Sequence, residues 1–215
     1  MAREELKVAA PELRLDVEGR EEPIDWWAAF GRTGPVEIEV GIGKGRFLIA
    51  AAVARPDVLH LGIEWANKYL RIAETRAARR ELDNVRFVRT DAKVFLRRLV
   101  PAESVDAYYV FYPDPWPKKR HHKRRFFTPD TVRDVARTLR SGGWLHASTD
   151  HAEYWDAIES VLDGSDLVRQ PEFGGEAFPL PVDQPLTNFE TKYRDQGRGR
   201  LRATWRRPGD PGRLP

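Results

Sequence analysis

Five short runs rich in β-branched and aromatic residues recur along the chain, at 35–40, 58–63, 85–89, 105–112 and 144–148. Helical patterns follow at 47–54, 67–82, 92–99, 129–140 and 151–162. Strands joined through helices cannot be hairpins. They pair in parallel, so the order predicts an α/β fold with a doubly wound, mostly parallel sheet. Further runs at 167–170 and 200–206 read as later strands, the last expected antiparallel. The domain is expected to span 34–207. A partly flexible extension is expected over 1–33 and a disordered tail over 208–215. In the extension, Trp26 and Trp27 form a short amphipathic turn or helix and read as a packing anchor or a base-stacking platform.

The run ends share a feature. Glu39 stands just before the end of the first run, and Glu64, Asp91, Asp114 and Asp150 stand just past the ends of the four that follow. Ligands of open α/β sheets bind outside the carboxyl ends of the strands. Five acids converging there suit a ligand with cationic and donor groups, and repel a pyrophosphate. Gly41, Gly43 and Gly45 form a Gly-x-Gly-x-Gly turn between the first strand and its helix. Such glycines permit a tight turn and close approach of a ligand to the backbone. With Glu39 beside it, the turn suits a cationic amino-acid moiety. Glu64 reads as a partner of ribose hydroxyls or as a helix cap. Asp91, followed by Ala92, reads as an acceptor from an adenine amine or as an N-cap.

The stretch 108–127 adds a second chemistry. Its strand stops at Pro113, and Pro115 and Pro117 follow, so neither ladder nor helix continues. A stiff loop therefore holds Asp114 and Trp116 at a strand end. Trp116 packs either a base or the loop itself. Six cations follow within eight positions: Lys118, Lys119, Arg120, Lys123, Arg124 and Arg125. His121 and His122 lie among them, where protonation is disfavoured, so neither is assigned as a general base. A carboxylate, an aromatic plane and a cation cluster suit a base on a phosphate backbone. The net charge is only +3, but for a polyanion partner clustering matters more than the total.

Other classes are narrowed by absence. The sequence has no cysteine, so disulfides, thiolate metal sites and cysteine nucleophiles do not apply. The start is charged and lacks an apolar core, and no run is long enough to span a membrane. A cytoplasmic location, with no membrane and no metal, is expected. Monomer and homodimer both remain open.

The runs from Glu39 to Gly45, Gly62 to Glu64 and Thr90 to Ala92 resemble a class I methyltransferase of Rossmann-like fold. With Pro113 to His121, Thr149-Asp150 and Thr187-Asn188-Phe189-Glu190, the chain closely resembles the bacterial tRNA (guanine-N7)-methyltransferases, the TrmB family. The resemblance implies S-adenosylmethionine as cofactor and guanosine 46 of the tRNA variable loop as target. It implies cofactor contacts at Glu39, Gly41, Gly43, Gly45, Glu64, Asp91, Ala92 and Asp114, with Asp114 also catalytic. It places substrate contacts at Lys118, Asp150, Thr187, Asn188, Phe189 and Glu190. It places RNA contacts at Lys119, Arg120, His121, His122, Lys123, Arg124 and Arg125.

Overall fold

The computed structural model describes residues 13–175, 178–183, 186–187, 190 and 199–209. Within these, strands β1 (Val36–Val40), β2 (Leu59–Ile63), β3 (Val85–Val88), β4 (Val105–Phe111) and β5 (Leu139–Thr149) run parallel. Strands β6 (Val168–Arg169) and β7 (Leu201–Arg206) join antiparallel. The order is β3-β2-β1-β4-β5-β7-β6. The chain starts at the centre, winds outward to β3, then returns to build the other half. The winding reverses between β1 and β4, and the crevice of a doubly wound sheet opens at that switch point.

Alternate strand positions bury two faces. Ile38, Leu61, Tyr108, Leu145 and Trp205 face one way. They meet helices α1 (Trp26–Phe30), α4 (Ala92–Arg98), α5 (Pro129–Thr138) and α6 (Ala152–Asp163). The opposite face receives α2 (Arg46–Ala54) and α3 (Asn67–Ala78), through Leu48, Leu70 and Ala73. Over β4 that face is covered by Phe47 together with Phe173, Phe178 and Leu180 of the connection before β7. The same face buries Glu37, which pairs with Arg55 and accepts from the Tyr109 hydroxyl at 2.9 Å.

Residues 13–33, expected as an extension, are built into the fold. Leu13, Ile24 and Phe30 are buried, and Leu15 N donates to Phe87 O at 2.8 Å along the free edge of β3. Asp25 caps α1 by accepting from Ala28 N. The tryptophan pair divides its work: Trp26 packs against the core, while Trp27 is 62% exposed. The fifth helix is shorter than the 129–140 pattern. It begins with Thr128 as cap and Pro129 in the first turn, and it stops at Thr138. Leu139 already pairs with Val105, and the next register pair is Ala107 with Trp144. Here β4 advances two residues while β5 advances five. Gly142 and Gly143 therefore serve a bulge within a strand rather than a helix end. Gly142 takes a φ of 77°, and a Cβ on Gly143 would meet the Arg140 carbonyl at 2.9 Å. None of the described helices is long and apolar enough to cross a membrane.

Candidate active site at the carboxyl ends of the strands

A cavity of about 260 Å3 opens where β1 and β4 end. The glycine turn forms one wall, through Gly41, Gly43, Lys44 and Arg46. Phe111, Tyr112 and Thr187 form the opposite wall, Tyr69 contributes from α3, and Glu39 lies against it from β1. Glu39 is 3% exposed. Burial pushes its carboxyl up to about 8, against a backbone hydrogen bond from Leu48 and with added repulsion from Glu64. Its Oε2 atom has no hydrogen-bond partner. A buried, unsatisfied polar atom costs about 1–3 kcal/mol, and a cation or donor entering the cavity would remove that cost.

The three glycines of the turn divide into two kinds. Gly41 and Gly43 have φ of 75° and 52° and face open space. Gly45 also has positive φ, but a Cβ there would lie 2.8 Å from the Ala73 Cβ. Gly45 lets α2 approach α3 and lies outside the cavity wall.

The next two strand-end acids are engaged by backbone. Glu64 accepts from Gly43 N through one oxygen and from Ala66 N through the other, both at 2.8 Å. Ala66 precedes α3 and has no side chain that can cap it. Glu64 thus ties the glycine turn to that helix start, and each of its oxygens keeps a further lone pair. Asp91 is the N-cap of α4, with Oδ1 accepting from Lys93 N and Val94 N. Ala92 follows as the first residue of α4 and is half-buried.

The exit of β4 is built differently. Tyr112 and Trp116 have φ of 52° and 44° and bracket Pro113-Asp114-Pro115. Left-handed backbone is uncommon for bulky residues and accumulates where a site over-determines it. Side chains hold this bend. Arg124 lies over the Trp116 ring at 5.0 Å, and His121 meets its edge at 5.7 Å. Lys93 on α4 donates to the Lys123 carbonyl at 3.2 Å. Asp114 itself is exposed.

The six cations separate by burial. Lys118, Lys119, Arg120, Lys123 and Arg124 are exposed, and His121 and His122 are half-buried. Arg125 departs from its reading as an RNA contact. It is 5% exposed, donates to Pro115 O and to Glu153 (both 2.8 Å), and covers the Tyr154 ring at 4.8 Å. Its charge is spent inside, pinning the loop to α6.

Asp150 is half-buried after the end of β5. Thr187 accepts from Glu190 N at 3.1 Å, capping the segment that follows it. The Glu190 carboxylate accepts from Leu186 N and from the Tyr112 hydroxyl, the latter at 3.1 Å. Asn188 and Phe189 lie outside the described residues. Tyr69 and Tyr112 were not singled out from the sequence, although both line the cavity. Tyr112 carries one signal, a large residue placed directly before a proline at a strand end. Tyr69 carries another, a large aromatic in the first turn of the helix after Glu64.

The doubly wound sheet, the glycine turn and the strand-end acid with one unpartnered oxygen are those of a class I methyltransferase fold. Solved structures agree on the fold. An aminoglycoside resistance methyltransferase, NpmB1, superposes with a TM-score of 0.56 at 18% identity, covering 80% of this chain and 87% of that one. A structure described as an antibiotic related methyltransferase gives 0.57 at 19%, covering 82% and 89%. The family described as putative methyltransferase matches residues 33–203. Proteins named tRNA (guanine-N(7)-)-methyltransferase are similar over most of the chain. The Nocardia farcinica protein is 40% identical over 200 residues, 89% of this chain and 74% of its own. Those of Mycobacterium avium and Bordetella pertussis are each 38% identical, covering 92% and 82% of this chain and 78% and 69% of their own. The chain belongs to the tRNA (guanine-N7)-methyltransferase family.

Proposed function

We propose that this protein transfers a methyl group from S-adenosylmethionine to N7 of a guanosine in tRNA, at position 46 of the variable loop. The observation that carries the reading is a pairing of opposites around one crevice. Glu39 is a buried carboxyl with an unsatisfied oxygen in a cavity, and beside that cavity an exposed carboxylate, Asp114, heads a run of exposed cations. The first suits a small cationic ligand and the second suits a polyanion. Relatives 38–40% identical carry the corresponding name.

The residues fit the cofactor. The Glu39 Oε2 atom lacks a partner, and Gly41 and Gly43 leave open space above a backbone that a ligand can approach. Glu39 would hold the cationic amino-acid end. Glu64 and Asp91 would accept from the ribose and the adenine through acceptor positions their backbone bonds leave. When bound, S-adenosylmethionine supplies an electrophilic methyl group on a sulfonium.

The chain's own task is placement. Guanine N7 carries a lone pair in the neutral base, so no proton has to be removed and no strong base is required. The rate then depends on alignment and on electrostatics. Methylation leaves a positive charge on the purine. Asp114 faces that charge as it develops and accepts from a guanine N–H to orient the base. The bend from Tyr112 to Trp116 fixes the position of Asp114 before the RNA arrives. Lys118, Asp150, Thr187 and Glu190 belong to the base side of the site. Lys119, Arg120, Lys123 and Arg124 meet phosphates.

Nucleoside mass spectrometry of unmodified tRNA, incubated with the protein and S-adenosylmethionine, tests the proposal. A 7-methylguanosine signal confined to tRNAs with a guanosine in the variable loop is expected. Methylation at another atom or position would overturn the assigned target.

A further inference from the structure

Helix α3 and the turn after it carry five cations: Lys68, Arg71, Arg76, Arg79 and Arg80. Of the two carboxylates on the same stretch, Glu74 is buried and accepts from the Arg14 guanidinium at both oxygens, and Glu81 in the turn is exposed. None of the five cations is ion-paired with a carboxylate among the described residues. Helices α4 and α5 show the contrast. There Arg97 reaches Asp134 at 3.2 Å, Arg133 reaches Asp130 at 3.0 Å, and Arg137 reaches Asp134 at 3.8 Å. Those three arginines are matched by acids, and the five cations of α3 and its turn are not.

Helix chemistry accounts for only part of the set. A helix C-terminus favours Arg76, Arg79 and Arg80, but Lys68 sits in the first turn, where a cation is disfavoured. Lys68 with Arg71, and Arg76 with Arg79, are like charges three residues apart, which also opposes the helix. Lys68 and the like-charge pairs oppose the local helix, and the set lies where a polyanion would pass. Tyr69, beside Lys68, lines the cavity, and Arg76 donates to the carbonyl of Lys44, another wall residue, at 2.9 Å. From Lys68 to Arg79 the ridge runs about 16 Å along the helix, a length spanned by several backbone phosphates. The cation loop after β4 is tied to α4 and α6, in the other layer of the fold. The cavity mouth therefore lies between two cationic lips.

We propose that the α3 ridge is a second phosphate-binding surface, gripping the backbone of the substrate tRNA on the side of the cavity opposite the loop at 118–124. This rests on the tRNA reading above. The test is Lys68→Gln combined with Arg71→Gln and Arg79→Gln. Binding of full-length tRNA is measured between roughly 50 and 200 mM salt, where phosphate contacts dominate the salt dependence. Loss of three phosphate contacts should lower the slope of log affinity against log salt by about 2–3 and weaken binding at least about tenfold. S-adenosylmethionine affinity and the rate at saturating tRNA should stay unchanged. Arg71→Lys with Arg79→Lys, which keeps the charge, should retain the wild-type slope, and so separates charge from packing. An unchanged slope and affinity in the triple glutamine variant, with wild-type protein methylating tRNA, would overturn the ridge alone. Wild-type protein that methylates no tRNA would overturn the reading beneath it, and the ridge with it.

Discussion

The ends of β1 and β4 are neighbours in the sheet, yet they make opposite kinds of site. At β1 the backbone is relieved by glycine, the carboxyl of Glu39 is buried, and one polar atom is left wanting. At β4 two bulky residues accept left-handed backbone, the carboxylate of Asp114 is exposed, and arginine and histidine packed on Trp116 hold the loop. A small ligand can be captured by a pocket that withholds solvation until it arrives. A macromolecule cannot be enclosed, so its site must be rigid before contact and reachable from outside. The two strand ends are those two solutions.

Removing the charge at each end should break different steps. Asp114→Asn is expected to lower kcat by about 10²–10³-fold, the scale of losing one transition-state electrostatic partner. Cofactor and tRNA affinities should change far less. Single-turnover methylation beside equilibrium binding checks this, and equal losses in all three would remove Asp114 from the chemistry.

Glu39→Gln is expected to weaken S-adenosylmethionine binding by about 10²-fold, read by calorimetry, since a desolvated ion pair would become a neutral contact. The same change should stabilise the free protein at alkaline pH. A carboxyl raised to about 8 in the folded state, and ordinary when unfolded, favours folding at low pH. That contribution is lost as pH climbs toward and through 8. Thermal melts of the two free proteins should therefore diverge with rising pH, the glutamine variant melting higher.

The same ionisation predicts a smaller effect in the wild type. Holding a cation requires Glu39 charged, so cofactor affinity should rise by up to about tenfold per pH unit below 8 and then level off. Proton release, measured in buffers of different ionisation enthalpy, should accompany binding at pH 7 and vanish in Glu39→Gln. Smallest, Trp116→Ala should raise the KM for tRNA by about fivefold, the scale of one cation–π contact, and leave cofactor affinity untouched. A loss of cofactor affinity would mean that the two strand ends are not independent.

The alternation of strands and helices was legible because each buried run is short and flanked by turn residues. The acids were legible because they follow those runs. Roles within the site were less so. Gly41, Gly43 and Gly45 look alike in sequence, yet the third faces Ala73, a neighbour 28 positions away. Arg125 looks like its fellow cations, but Glu153 and Tyr154 claim it from another helix. Glu64 and Asp91 were each open to ligand or cap, and only the positions of Gly43, Ala66, Lys93 and Val94 show which amides they hold. The 129–140 helical pattern overruns the helix end at Thr138 because the bulge at Gly142-Gly143 depends on the register of β5 against β4, which is not local information.

The cavity's walls come from far apart in the chain: Glu39 and Gly41 from near its start, Thr187 from near its end. Tyr112 waits for its bond to Glu190 in the same way. During synthesis the N-terminal segments are available first. A nascent chain reaching residue 170 already carries all five strand-end acids and the whole cation loop, but lacks Thr187 of the far wall and the Glu190 that Tyr112 bonds. Translation would therefore have to pass residue 190 before the cofactor has a closed chamber to enter.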